Sequence, residues 1–103
     1  MNLKRKLAEI RTIQITSKIV TSQDLLLEIK GNLPDPAWQL EQEMITYDNK
    51  QKLVTIKIWA TRNPSITSFH VIKEFTKTIK IDVPEKGIWT ISCNDKILEI
   101  NIN

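Results

Sequence analysis

The sequence predicts an all-β fold, an immunoglobulin-like antiparallel sandwich of about seven strands. Apolar and polar residues alternate in short runs, as they do in strands with one buried face. Turn-forming residues separate these runs at intervals of about ten residues, which is typical of sandwiches. The chain has 103 residues, of which 41% are hydrophobic. This length and composition fit one soluble domain with one core.

Near the amino terminus the apolar residues are spaced as in a helix rather than alternating. We therefore predict an N-terminal tail or short helical turn over residues 1–10 and the sandwich domain over residues 11–103. The first strand is predicted over Arg11–Ile19, where Ile13 and Ile15 alternate with polar residues.

The remaining strands are predicted over Asp24–Lys30, Trp38–Tyr47, Leu53–Ala60, Phe75–Val83, Ile88–Cys93 and Ile97–Ile102. The segment Gly31–Pro36 ends the first of these, because its prolines cannot donate a ladder hydrogen bond. One hairpin is predicted from the strands Trp38–Tyr47 and Leu53–Ala60, with Trp38, Leu40 and Met44 on its inner face. The last two form another hairpin, and its turn, Asn94-Asp95, contains residue types that tolerate a left-handed backbone.

Charge and cysteine content argue against several classes of partner. The formal net charge is +3, and the basic excess lies near the amino terminus in Lys4, Arg5, Lys6 and Arg11. No nucleic-acid-binding motif accompanies it, so we expect no nucleic-acid partner. No apolar segment of about 20 residues is present, so we expect no membrane span. The single cysteine, Cys93, excludes an intramolecular disulfide.

The first residues lack the apolar region of a signal peptide. The chain is therefore expected to be cytoplasmic, the alternative being an exported protein whose leader has been removed.

The candidate catalytic groups do not form a recognisable constellation. His70 is the only histidine, and no nucleophile-elbow motif accompanies it. Cys93 is predicted to be a buried core residue, in step with Trp89. Glu41 and Glu43 lie two residues apart on one strand face, where solvent-exposed charge is the simplest interpretation. We therefore predict no enzyme, no catalytic residues, no metal and no cofactor.

Several short motifs resemble a family of small, uncharacterised bacterial and archaeal domains that often occur in lipoproteins. The family pattern runs G-x-L-P-D-P-C, then P-x-x-x-C, then P-F-E, and finally G-x-Y-x-V-x-V-N-G. The segments of this chain that carry the resemblance are Gly31–Pro36, Asn63-Pro64, Phe75, Gly87–Ile91 and Cys93-Asn94. The resemblance extends from about Ile13 to the end, and it implies the sandwich fold but no known activity.

The sequence departs from this family pattern at its two cysteines. Ala37 and Ser68 stand at those positions, while Glu74, Trp89 and Asp95 replace the pattern's proline, tyrosine and final glycine. The resemblance thus implies a member without the disulfide that relatives would share. It points to export, whereas the missing cysteines fit a reducing compartment.

Two features remain as candidate binding sites, Trp59 and the loop Asn63, Pro64 and Ser65. Trp38 and Trp89 are predicted to face the core, but Trp59 shares its face with Thr55 and Lys57. An exposed tryptophan can stack on a sugar or contact a protein. The loop is similar to the N-P-T loop of chagasin-type cysteine protease inhibitors, although their glycine-rich second loop is missing.

The sequence thus favours a non-enzymatic protein-interaction module, with a protein of unknown identity as its partner. The alternatives are a carbohydrate- or surface-binding accessory domain and a protease-inhibitor-like domain.

Overall fold

The computed structural model describes residues 3–16 and 25–102. Within these two ranges the chain forms ten strands and no helix. The strands are β1 Lys4–Leu7, β2 Glu9–Ile15, β3 Leu25–Leu33, β4 Trp38–Leu40, β5 Met44–Asp48, β6 Leu53–Lys57, β7 Trp59–Arg62, β8 Lys73–Ile81, β9 Gly87–Cys93 and β10 Lys96–Ile102. The predicted all-β class is confirmed, with more and shorter strands than the seven expected.

The strands form three sheets, with the orders β2-β3-β8, β10-β9-β6-β5 and β1-β7-β4. Every pairing among the described strands is antiparallel except that of β6 with β9, which is parallel. The first two sheets bury their inner faces in one shared hydrophobic core, which is the arrangement of a sandwich. The third sheet continues from both of them at one end of the molecule.

This continuation arises where two stretches of chain pass from one sheet to another. Ala8 separates β1 from β2, and Ile58 separates β6 from β7. The two residues meet, because the Ala8 N–H donates to the Ile58 carbonyl over 2.9 Å. Asn94 also contacts this junction, because its side chain forms hydrogen bonds with the backbone of both Ala8 and Ile58.

The core consists of the alternating apolar residues of both facing sheets. Its largest fully buried side chains are Trp89, Ile10, Leu25, Leu27, Ile29, Ile56, Ile58, Ile81, Ile91, Ile102, Val54 and Cys93. Burying one such aliphatic side chain stabilises the fold by about 1.5–3 kcal/mol. The inward positions predicted for Trp38, Trp89 and Cys93 are confirmed.

The structure corrects the prediction for residues 3–10, whereas residues 1 and 2 lie outside the described part of the chain. A strand, β1, occupies Lys4–Leu7 where a tail or helical turn was expected, and β2 already begins at Glu9. The residues of β1 are all exposed, so its hydrophobic pattern gave no signal. Backbone pairing with β7 stabilises it instead. The predicted first strand ran to residue 19, and residues 17–19 lie outside the described part of the chain.

The long hairpin is also divided. Its two arms do pair, but β4 joins β7 in one sheet and β5 joins β6 in another. Residues 41–43 interrupt the first arm and change which residues face inward. Met44, expected inside, is therefore 53% exposed, and Ile45 packs against the core in its place. The final hairpin is confirmed, with Asn94 at a φ of 52° in its turn.

Candidate functional site

The loop between β7 and β8 begins with a turn that its own side chains stabilise. The Asn63 Oδ1 accepts hydrogen bonds from the Ser65 N–H at 3.0 Å and from the Ser65 hydroxyl at 2.8 Å. The Ile66 N–H donates to the Asn63 carbonyl over 3.1 Å. Pro64, between them, has a restricted φ. The predicted loop Asn63–Ser65 is therefore a preformed turn.

Arg62, the last residue of β7, connects this turn to the loop that follows β3. Its Nε donates to the Asp35 carboxylate at 3.1 Å, and both side chains are largely buried. Its two terminal nitrogens donate to the carbonyls of Asn63 and Ile66. Asp35 also accepts the Ala37 N–H at 2.8 Å. One ion pair thus fixes both loops at the same end of the molecule.

Beyond the turn, the loop exposes a run of apolar side chains. Ile66, Phe69, Val71 and Ile72 are between 48% and 83% exposed, and Phe69 is the most exposed of them. We call these four residues the loop surface. Clusters of exposed apolar residues mark interaction sites more often than single ones do. The apolar residues of this stretch do not alternate with polar ones as in a strand, and that irregular spacing was the signal available in the sequence.

A groove of about 370 Å³ adjoins the loop surface. It lies where the chain passes from β1, which pairs with β7, to β2, which pairs with β3. Its lining residues are Lys6, Leu7, Ala8, Glu9, Asn32, Leu33, Pro34 and Ile72. Ile72 belongs both to this groove and to the loop surface, so the two adjoin at this residue.

Trp59 is placed differently from what an open aromatic platform requires. It is half-buried, and the Arg5 guanidinium lies 4.1 Å from the centre of its ring. Glu41 fixes that guanidinium through two hydrogen bonds, of 2.8 Å from Nε and 3.1 Å from Nη2. Arg5 therefore covers one face of the indole with a cation–π contact.

The same contacts perturb both charged groups. The hydrogen bond from Arg5 is the main cause of the lowered pKa of Glu41, and a hydrogen bond from Thr61 lowers it further. In return, the pKa of Arg5 is raised, chiefly by the hydrogen bond to Glu41. The pair is ionised across the neutral range, so Arg5 stays over the ring of Trp59. The other predicted site residues, Asn63–Ser65, lie beyond the far end of β7.

The groups considered for catalysis are separated from one another. His70 is exposed within the loop. Cys93 is buried, and desolvation raises its pKa to about 11. Glu43 forms an ion pair with Lys77 at 2.7 Å, whose hydrogen bond lowers the pKa of Glu43.

No group of three or more His, Cys, Asp or Glu side chains in the two described ranges is placed to hold a metal ion. None of the described residues belongs to a helix that is long and apolar enough to cross a membrane.

Comparison with known proteins identifies the fold rather than an activity. Neither the curated proteins nor the solved structures gave a match to the chain. A family model for the ORF11 beta-sandwich domain matches residues 27–102, which include every strand from β4 to β10 and nearly all of β3. The match lies within the region for which the sequence predicts a sandwich. With most of its length matched and its two facing sheets in place, the chain belongs to the ORF11 beta-sandwich domain family.

Proposed function

We propose that this chain is a non-enzymatic protein-interaction module that binds another protein through its loop surface. The observation that carries this proposal is the exposure of Phe69, at 83%, beside three further exposed apolar side chains of the same loop. Burying one such phenylalanine at an interface is worth about 1.5–3 kcal/mol. Large aromatic side chains are also frequent at the centre of protein interfaces.

Rigidity at the base of the loop supports the same function. Association costs free energy for every segment that becomes ordered on binding. Here the hydrogen bonds of Asn63 and the ion pair of Arg62 with Asp35 already fix the start of the loop. A partner would therefore order fewer residues than a loop without these bonds requires.

The finer fold assignment is also a proposal. We infer an immunoglobulin-like sandwich because a three-stranded and a four-stranded sheet enclose the core, as in constant-type immunoglobulin domains. The parallel pairing of β6 with β9 departs from that purely antiparallel pattern.

A protease-inhibitor-like role is the second candidate, and the preformed turn Asn63–Ser65 favours it. Inhibitory loops gain affinity when their bound conformation is already present in the free protein. Assays against a panel of cysteine and serine proteases test it, and no inhibition at micromolar concentration would contradict it. The sugar-binding alternative is less well supported, because Arg5 occupies one face of Trp59.

The leading proposal is tested by affinity capture with two matched variants. Ile72 and Ile88 are 67% and 64% exposed, so replacing either by serine should change stability equally little. Ile72 lies on the loop surface, whereas Ile88 lies on β9. We expect proteins captured by the wild type to be retained by Ile88→Ser and lost by Ile72→Ser and Phe69→Ser. The proposal would be contradicted if the wild type and all three variants captured the same proteins equally well. It would also be contradicted if the wild type captured no protein.

A further inference from the structure

Strand β1 has one edge open for pairing. It is the outer strand of the sheet β1-β7-β4, and no other described strand pairs with it. An open edge presents unpaired backbone N–H and C=O groups, to which an extended segment can add as a further strand.

The two faces of β1 differ in whether their positive charges form an ion pair. Side chains alternate along a strand, so Lys4 and Lys6 project to one face and Arg5 and Leu7 to the other. Arg5 is paired with Glu41. Among the described residues, no carboxylate forms an ion pair with Lys4 or Lys6. The Lys6 ammonium lies 5.0 Å from the centre of the Trp38 ring.

Lysines on an edge strand also counter non-specific pairing with strands of other chains. They thereby restrict this edge to segments that bring negative charge, since opposite charges directly across two strands are stabilising and like charges are destabilising. The other requirement is apolar, because the groove beside β1 is lined by Leu7, Leu33, Pro34 and Ile72. Lys6 and Glu9 also line this groove, and Glu9 follows β1 in the chain, beyond the end of the strand opposite Lys4.

We propose that the open edge of β1 binds an extended partner segment in which acidic and apolar residues alternate. The segment adds as a strand, with its acidic side chains opposite Lys4 and Lys6 and its apolar side chains directed to Leu7 and the groove. This inference rests on the proposed function and names the chemistry of the partner.

Blocked synthetic peptides test the strand geometry without altering the protein. The first is an eight-residue peptide in which glutamate and valine alternate, and the second replaces its glutamates by lysines. We expect the glutamate peptide to shift the backbone amide signals of residues 4–7 in the ¹⁵N-labelled chain and the lysine peptide not to. Absence of binding by the glutamate peptide, or equal binding by both, would overturn the proposal.

N-methylation distinguishes strand addition from simple attraction between charges. In an added strand only alternate N–H groups point toward β1. Two further peptides therefore carry N-methyl groups on all glutamates or on all valines. We expect one of the two to bind and the other not to. Binding by both, or by neither, would overturn strand addition.

Protein variants then locate the site. Reversing both charges in Lys4→Glu/Lys6→Glu should weaken binding of the glutamate peptide about tenfold or more. Lys50→Glu, in the exposed turn before β6, should leave it unchanged. Unchanged binding by the double variant would contradict the site. If the peptides fail while capture still depends on Ile72 and Phe69, strand addition alone is wrong. If capture shows no such dependence, the proposed function is wrong.

Discussion

Replacing Asn94 by alanine should destabilise the fold strongly, although this residue is only partly buried. The Asn94 side chain donates to the carbonyls of Ala8 at 2.7 Å and Ile58 at 3.1 Å, and it accepts the Ile58 N–H at 3.0 Å. These bonds satisfy backbone groups at the point where two stretches of chain change sheets. The Ile58 carbonyl also accepts the Ala8 N–H, whereas at the Ala8 carbonyl and the Ile58 N–H the carboxamide takes the place of a strand partner.

The expected magnitude follows from two contributions. Three hydrogen bonds at about 1 kcal/mol each give about 3 kcal/mol. The φ of Asn94 is 52°, in the left-handed region, where an alanine costs about 1 kcal/mol more than asparagine. The total of about 4 kcal/mol is a large part of the 5–15 kcal/mol that is typical for the free energy of unfolding of a domain. Because the loss is smaller than this free energy, the variant should still fold.

Urea unfolding followed by tryptophan fluorescence measures this loss. With a slope of about 1.5 kcal/mol per M, the midpoint of Asn94→Ala should fall by about 2 to 3 M. Asn94→Gly serves as the control, because it removes the same bonds but adopts a positive φ freely. We expect it to be less destabilising than alanine by about 0.5–1 kcal/mol. A loss below about 1 kcal/mol for Asn94→Ala would refute the reasoning.

Three further predictions concern a close backbone approach, a titrating carboxylate and the free thiol. Gly31→Ala should lower the free energy of unfolding by about 2 kcal/mol, because the added Cβ would overlap the Phe75 ring and a backbone oxygen of β2. Thermal unfolding measures this loss, and a change within about 0.5 kcal/mol would contradict the prediction. Arg5 lowers the pKa of Glu41, so the stabilisation from this carboxylate is present above the unfolded pKa of about 4.3 and is lost as the pH falls through the lower folded value. The urea midpoint of the wild type should therefore decrease more steeply below that pH than the midpoint of Glu41→Gln, and parallel curves would argue against the pair. Cys93 is fully buried with its pKa raised to about 11, so an aromatic disulfide reagent at pH 8 should label it only as the fold opens, and rapid labelling of the native protein would contradict its burial.

The sequence predicts well those parts of the fold in which burial and alternation coincide. In β8 and β9, residues such as Ile79, Ile81, Trp89 and Ile91 are buried at every second position, as expected. The turn at Asn94 was also predicted from residue type, and its positive φ agrees. In these strands a local pattern suffices, because one face meets the core and the other meets water.

The remaining features depend on contacts between distant residues. Strand β1 is exposed on both faces, and only its pairing with β7 makes it a strand. The predicted end of a strand at Gly31 was too early, because β3 continues to Leu33 between the two partners β2 and β8. For the candidate site, Trp59 could be assigned to the outer face, but the coverage of its ring by Arg5 could not. That contact joins residues that are far apart in the sequence.

The central claim, that the end of the molecule bearing the loop surface and β1 binds a partner protein, is tested most directly by hydrogen exchange. The wild-type chain would be compared alone and in complex with a protein whose capture depends on Ile72 and Phe69. We predict slower exchange at residues 3–7 and 65–72 in the complex, with no change at the opposite turn, residues 84–87. Unchanged exchange at residues 65–72, with or without protection at residues 84–87, would contradict the claim.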